Sequence, residues 1–233
     1  MKEILKDGFA ELGLEPDARA AERFVTYFEY LEERNKVMNL TAISGEADVA
    51  RLHFLDCAAV LGFADFNDKK VIDVGTGAGF PGLVLKIARP DISLTLLDSL
   101  NKRIDFLRET CDKLGFSDVR CIHARAEEAP EEMRGSFDIA VSRAVARLEV
   151  LCELCLPFVK PGGVFIAMKG PDCGDETARA ANAMKLLGAE LGEIKLYTVP
   201  GTDISHAAVI IKKTKPTHPK YPRKWAQIKK NPL

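Results

Sequence analysis

No apolar run in this 233-residue chain approaches the roughly 18 residues needed to cross a bilayer. Residues 1–10 are charged from Lys2 onward and contain no apolar leader segment, so the expectation is a cytoplasmic protein with no membrane partner. Paired metal-ligand motifs are missing as well. Cys152-x-x-Cys155 has neither a second CxxC nor a paired-histidine motif to complete a zinc set, and it lies in the apolar segment 148–158. All six cysteines therefore read as buried thiols of a reducing compartment, with no disulfide partner and no metal site. Internal repeats are absent. Acidic residues are absent from the basic C-terminal stretch: residues 212–233 hold eight of the 33 Lys and Arg and no Asp or Glu, although the whole chain carries a net charge of −1.

That tail interleaves its charges with Tyr221 and Trp225, a layout suited to phosphates and bases. Pro216, Pro219 and Pro222 suggest a docked, extended segment. The tail is expected to bind RNA electrostatically, independently of any cofactor site. The remaining 25 basic residues stand against all 34 acidic ones, so the body is acidic, and 47% hydrophobic residues suffice for a full core.

Residues 71–79 read Val-Ile-Asp-Val-Gly-Thr-Gly-Ala-Gly. Val71, Ile72 and Val74 suit a buried parallel strand; Gly75, Gly77 and Gly79 allow a tight turn and close approach of a ligand. Gly77 to Gly82 also satisfies the dinucleotide spacing G-x-G-x-x-G. A carboxylate entering the turn at Asp73 is awkward for a pyrophosphate but suits a cationic ligand, so S-adenosyl-L-methionine is favoured over NAD. The next strand, 93–97, ends at Asp98, near the offset of about 20 residues at which a carboxylate meets ribose hydroxyls. The competing role for Asp98 is a helix N-cap.

Helical periodicity over 17–34 and 49–61 predicts an N-terminal helical cap, the second helix carrying His53 and Asp56 on one face. From residue 71, strands at 71–74, 93–97, 119–122, 137–141, 164–168, 193–199 and 206–213 alternate with helices at 81–88, 101–114, 147–158 and 174–187. Only residues 200–205 separate the last two strands, which must therefore pair antiparallel. The expected fold is α/β: a Rossmann-like, mostly parallel seven-stranded sheet with a C-terminal antiparallel hairpin, the Class I S-adenosylmethionine-dependent methyltransferase arrangement. The expected organisation is a helical cap over 1–65, a methyltransferase domain over 66–213 and a basic tail over 214–233.

Asn39-Leu-Thr41, His53-x-x-Asp56, Asp73-Val-Gly-Thr-Gly-Ala-Gly-Phe-Pro-Gly82, Leu97-Asp-Ser99 with Lys102-Arg103, Ala124-Arg-Ala-Glu127, Ser142-Arg-Ala144, Lys169-Gly170 and Tyr221-Pro-Arg-Lys224 span nearly the whole chain. In these motifs it resembles the RsmG (GidB) family of small-subunit ribosomal RNA methyltransferases. The resemblance implies methyl transfer from S-adenosyl-L-methionine to N7 of one guanine in small-subunit ribosomal RNA, on the RNA or a ribosomal particle. It also implies that Gly75 and Phe80 contact the cofactor, that Ala126 and Glu127 lie beside its adenine, and that Arg143 reaches the site as its catalytic residue.

Arg143 suits the methionine carboxylate, an RNA phosphate, guanine O6 or a structural ion pair. Lys169 suits substrate contact or a helix-side salt bridge, and Arg223 and Lys224 of the tail are candidate RNA contacts. His53 and Asp56 either line the pocket or anchor their helix. His206 and His218 have no companions at ligand spacing. N7 has a free lone pair, so positioning matters more than a general base. An exocyclic-amine methyltransferase would carry Asn/Asp-Pro-Pro-aromatic where Ser142-Arg143-Ala144 stands. Other readings are pyrimidine-C5 methylation through Cys173, a noncatalytic RNA-binding assembly factor, and an NAD(P)-dependent oxidoreductase.

Overall fold

In the computed structural model, which describes residues 1–143 and 146–233, seven strands form one sheet in the order β3-β2-β1-β4-β5-β7-β6. They are β1 (Lys70–Val74), β2 (Ser93–Asp98), β3 (Arg120–His123), β4 (Phe137–Arg143), β5 (Val159–Lys169), β6 (Ala189–Thr198) and β7 (Ser205–Lys213). β1 to β5 pair in parallel, and β7 runs antiparallel to both β5 and β6. Reversal of the last strand follows from the short 199–204 link, which leaves no room for a crossover.

Alternation along the central strands divides the interior in two. Val71, Ile139, Val141, Ile166 and Met168 face one core, while Ile72, Val74, Ala140, Phe165 and Ala167 face the other. The first core is closed by α1 (Lys2–Glu11), α2 (Ala20–Met38), the broken helical run 46–62, α5 (Gly82–Ala88) and α6 (Asn101–Leu114). Phe24, Tyr27 and Phe54 are its largest buried aromatics. The run 46–62 comprises α3 (Glu46–Val49), a π-helical turn Ala50–Leu55, α4 (Asp56–Ala58) and a 3-10 turn Ala59–Gly62.

α7 (Leu148–Cys155), α8 (Gly174–Arg179) and α9 (Ala181–Leu186) close the second core. Every residue of α7 is buried, Glu149 and Glu153 included, because the tail covers its outer side with Tyr221 and with Ile228 of α10 (Trp225–Lys230).

Five elements differ from the expectation: the helix expected at 49–61 breaks into the π-helical and 3-10 turns above, the tail expected to be extended ends in the helix α10, and three later elements depart as follows. β5 begins at Val159 and not near 164, because Gly163 lies against Asp138, where a Cβ would come within 2.3 Å of the carbonyl oxygen and a register shift absorbs the irregularity. β6 likewise starts at Ala189, ahead of the expected 193, with a bulge at Gly192. The expected helix 174–187 is interrupted at Ala180. No helix among the described residues is long and apolar enough to cross a membrane.

Candidate active site

The glycine turn leaves the end of β1 and is held from below by Asp73. This carboxylate is fully buried; Thr76 Oγ1 and the Gly82 amide donate to its Oδ2 at 2.7 and 2.8 Å. Its Oδ1 has no hydrogen-bond partner among the described residues. Burial pushes the Asp73 carboxyl up to about 7, against the pull of those two donors. Gly75 and Thr76 both donate their amides to the Leu97 carbonyl, at 2.8 and 3.2 Å, tying the turn to β2.

The three glycines separate by role. Gly77, at φ 60°, has nothing within 4 Å of where a Cβ would stand. Gly79, at φ 105°, is pressed under α2, where a Cβ would lie 2.6 Å from the Tyr27 hydroxyl. Tyr27 donates that hydroxyl to the Ala78 carbonyl. The cap thus requires glycine at position 79, and Gly77 presents the open backbone. Asp98 accepts from the amides of Gly77 and Leu100, each at 2.9 Å, and from Arg103 at 3.4 Å. It does not cap α6, whose N-cap residue is Leu100.

On one side of this turn lies a 260 Å³ cleft whose lining includes Gly75, Asp98, Ala126, Glu127, Leu151 and Trp225. Oε1 of Glu127 is buried there without a hydrogen-bond partner among the described residues. A second opening joins the turn to Phe80, His53 and Arg143.

Arg143 ends β4, one residue after Ser142, whose hydroxyl donates to the Val74 carbonyl at 2.8 Å. Ala144 of the Ser-Arg-Ala motif lies outside the described residues. The Arg143 guanidinium donates to the Leu52 carbonyl at 3.2 Å, Asp56 Oδ2 at 3.1 Å and His53 Nδ1 at 2.8 Å. It also sits 4.9 Å from the Phe80 ring centroid, and Phe80 stacks on His53 with centroids 4.3 Å apart. Burial and the Arg143 charge push His53 down to about 3, so the ring is neutral. Because guanidinium can only donate, Nδ1 accepts and Nε2 carries the proton, which it donates to Thr41 Oγ1 at 2.7 Å. Asn35 in turn fixes the segment of Thr41 by accepting from the amides of Leu40 and Thr41 at 2.7 and 3.0 Å.

Asp56 Oδ1 accepts from Tyr197 at 2.9 Å and from His206 Nδ1 at 2.7 Å. Burial opposes ionisation of Asp56, but the His206 hydrogen bond, Arg143 and Tyr197 together hold its carboxyl below the usual range. The Asp56 hydrogen bond raises His206 correspondingly. His53 and Asp56 thus do both things expected separately: they anchor the helical run and line a cavity. That 460 Å³ cavity lies beside Arg143 and is also lined by Ile43, Met168, Lys169 and His206.

Several basic candidates are engaged elsewhere. The Lys169 ammonium donates to Glu176 and to the Ala146 carbonyl, both at 2.8 Å, the helix-side bridge, while still lining the cavity. Arg223 turns inward: its Nε and Nη2 donate to the two oxygens of Glu153 at 2.8 and 2.6 Å, and its amide adds a third bond at 2.8 Å. Lys213 is buried with its ammonium on the Leu156 and Leu187 carbonyls, and burial lowers it to about 8. Lys224 remains exposed. Cys173 is buried in the second core and lines neither cavity.

Tyr27, Tyr197, His206 and Glu153 have no signal as site residues in the sequence. Spacing carries no trace of pairs such as Asp56 with His206, 150 residues apart. Only the register of β7 against β6, which sets His206 opposite Tyr197, brings both to Asp56.

A family model described as rRNA small subunit methyltransferase G matches residues 20–202. A protein of that name from Alkaliphilus metalliredigens is 48% identical over 235 residues, covering 100% of this chain and 98% of the relative. One from Clostridium perfringens strain 13 is 44% identical, covering 99% of this chain and 98% of the relative. Among solved structures, a SAM-dependent methyltransferase from Aquifex aeolicus aligns with a TM-score of 0.52 at 18% identity, over 71% of this chain and 93% of its own. A mutant of the 16S rRNA (adenine(1408)-N(1))-methyltransferase from Catenulisporales acidiphilia aligns with a TM-score of 0.53 at 15% identity, over 66% of this chain and 88% of its own. At these identities the two structures speak for the fold.

Proposed function

The chain belongs to the GidB family, rRNA small subunit methyltransferase G, and from that premise we propose that it methylates N7 of a guanine in small-subunit ribosomal RNA, using S-adenosyl-L-methionine. The substrate is the RNA or a ribosomal particle carrying it, in the cytoplasm. When bound, S-adenosyl-L-methionine supplies an electrophilic methyl group on a sulfonium, and attack by the N7 lone pair leaves the electron pair on sulfur with no proton to remove.

The residues fit that cofactor. Glu127 Oε1 is a buried acceptor of the 260 Å³ cleft with no hydrogen-bond donor among the described residues, as a ligand bearing an amine requires, Gly77 offers unobstructed backbone, and Asp73, with Oδ1 likewise unpartnered, lies directly behind the turn. Gly75, Phe80, Asp98 and Ala126 complete the cofactor side, with Asp98 offered to the ribose. Arg143, shared by the second opening of the turn and the 460 Å³ cavity, is the observation that carries the proposal. A guanine entering that cavity meets Lys169 as a donor for its O6, with Met168 and Leu52 as apolar walls. His53 is neutral and already spends both ring nitrogens, so it serves to position Arg143 and not as a base. On this reading the cap of residues 1–65 holds Thr41, His53 and Asp56 against β4, and the 214–233 tail with Lys224 follows the RNA backbone.

Incubation with methyl-labelled S-adenosyl-L-methionine and small subunits, or their extracted RNA, from cells lacking this activity tests the proposal. Digestion and mass spectrometry should yield labelled 7-methylguanosine. Label in another nucleoside, or in none, would overturn it.

A further inference from the structure

Trp225 is the chain's single tryptophan, and it belongs to the basic tail, yet it lines the cleft that contains Asp98 and Ala126. Its position is firmly set. Two residues earlier, Arg223 is clamped on Glu153, a carboxylate with 0% exposure on α7. Arg134 holds the Tyr221 and Thr217 carbonyls, and three residues after the tryptophan Ile228 is fully buried in the second core. Between these anchors Trp225 stays 37% exposed, although burying an indole is favourable and the neighbouring positions are fixed. Its lining partners Leu151 and Leu154 are apolar, while Asp98 and Glu127 supply acceptors. An apolar slot with a planar aromatic wall and polar groups at one end is a fit for a purine.

We propose that the Trp225 indole forms a wall of the adenine site, so that the tail completes the cofactor cleft as well as meeting RNA. The inference rests on the reading that places the adenosyl group between Asp98 and Ala126. It replaces the expectation of a tail independent of the cofactor, and gives the protein an intrinsic fluorescent reporter of occupancy.

The test titrates the full chain with S-adenosylhomocysteine, with 5′-methylthioadenosine and with methionine, following tryptophan emission and, in parallel, heat release. Both adenosyl compounds should change the emission with the same midpoint that calorimetry gives, and methionine should not. Trp225→Ala should weaken S-adenosylhomocysteine by about tenfold, while Trp225→Phe, which keeps an aromatic face, should stay within about threefold. Trp225→Leu keeps apolar bulk for docking the tail but offers no ring, and should bind like the alanine variant. Wild-type affinity in Trp225→Ala, equal losses in the Phe and Leu variants, or emission unmoved at saturating ligand would each overturn the proposal. Asp98→Ala separates the two levels: unchanged affinity there refutes the placement of the adenosyl group itself, whereas weakened binding there with full affinity in Trp225→Ala refutes only the role of the tryptophan.

Discussion

His53 accepts a hydrogen bond from Arg143 at 2.8 Å through Nδ1, which commits the only tautomer in which its other nitrogen can donate to Thr41. One neutral imidazole thereby transmits the position of the α2–α3 link to the side chain at the end of β4. Asp56, one helical turn on, neutralises the same guanidinium at 3.1 Å.

Arg143→Lys should therefore separate positioning from stability. A lysine keeps the charge but cannot reach three acceptors with a planar fork. Single-turnover methyl transfer is expected to fall by about a hundredfold. Arg143→Ala leaves Asp56 buried without its guanidinium and should cost about 3 kcal/mol in denaturant unfolding. Equal turnover in the lysine variant and wild type would remove Arg143 from the proposed site.

Acid sensitivity should trace to His53. Its ordinary value is 6.5 and burial with Arg143 takes it to about 3. Between those values the unfolded chain binds the extra proton, so stability falls as pH drops from 6.5 toward 3. Asp56 adds to this at the acid end: its depressed carboxyl contributes stability that is lost as pH falls through its folded value. His206, raised by Asp56, contributes in the opposite sense, losing its share as pH rises through its folded value. Melting temperatures of His53→Gln measured between about pH 7 and about pH 4 should show a flatter decline than wild type.

Two glycine substitutions should fail differently. A Cβ at Gly82 would lie 2.6 Å from Leu96 Cδ2 and 2.8 Å from Asp73 Oδ2, so Gly82→Ala should cost about 1–3 kcal/mol of stability and loosen the turn. Gly77→Ala meets no protein atom and bears only the cost of a positive φ, about 1–2 kcal/mol, while placing a methyl group on the open backbone. Thermal unfolding with and without S-adenosylhomocysteine distinguishes them: ligand stabilisation should vanish in Gly77→Ala at concentrations that protect wild type.

Deleting residues 214–233 is a poor test of RNA binding, because it strips Tyr221 and Ile228 from the core and leaves Glu153 buried without Arg223. Replacing the exposed Lys224, Lys229 and Lys230 by alanine leaves those anchors intact. RNA affinity should drop, and the slope of log affinity against log salt should flatten by about 0.7 for each phosphate that is no longer neutralised. A slope identical to wild type would exclude these lysines from the interface.

Local pattern makes the strands legible: β-branched runs, the glycine turn and the short link before β7 carry strand positions and the reversal of the last strand, while the order β3-β2-β1-β4-β5-β7-β6 comes from the fold. Asp73 and Asp98 are visible because the first stands next to a strand end and the second at one, where the periodicity stops, whereas Arg143 is legible only through the Ser-Arg-Ala motif of the family resemblance. Which way a side chain turns is not. Arg223 and Lys213 read as tail cations in the sequence, and only the fold brings them to the carboxylate and carbonyls that hold them, on α7 and at the ends of distant elements. The bulges at Gly163 and Gly192 are hidden for a related reason: a glycine reads as a turn unless the neighbouring strand that crowds it is known.

Ser142 and Val74, joined at 2.8 Å, connect the end of the strand that carries Arg143 to the end of the strand that carries the glycine turn. Donor side and acceptor side are thus mounted on adjacent rungs of one ladder near the middle of the sheet. Shifting one of these strand ends against the other would break that bond and the parallel pairing of β1 with β4, so the two mounts are tied to each other directly. The distance a methyl group must travel is gauged by the pairing of two neighbouring strands.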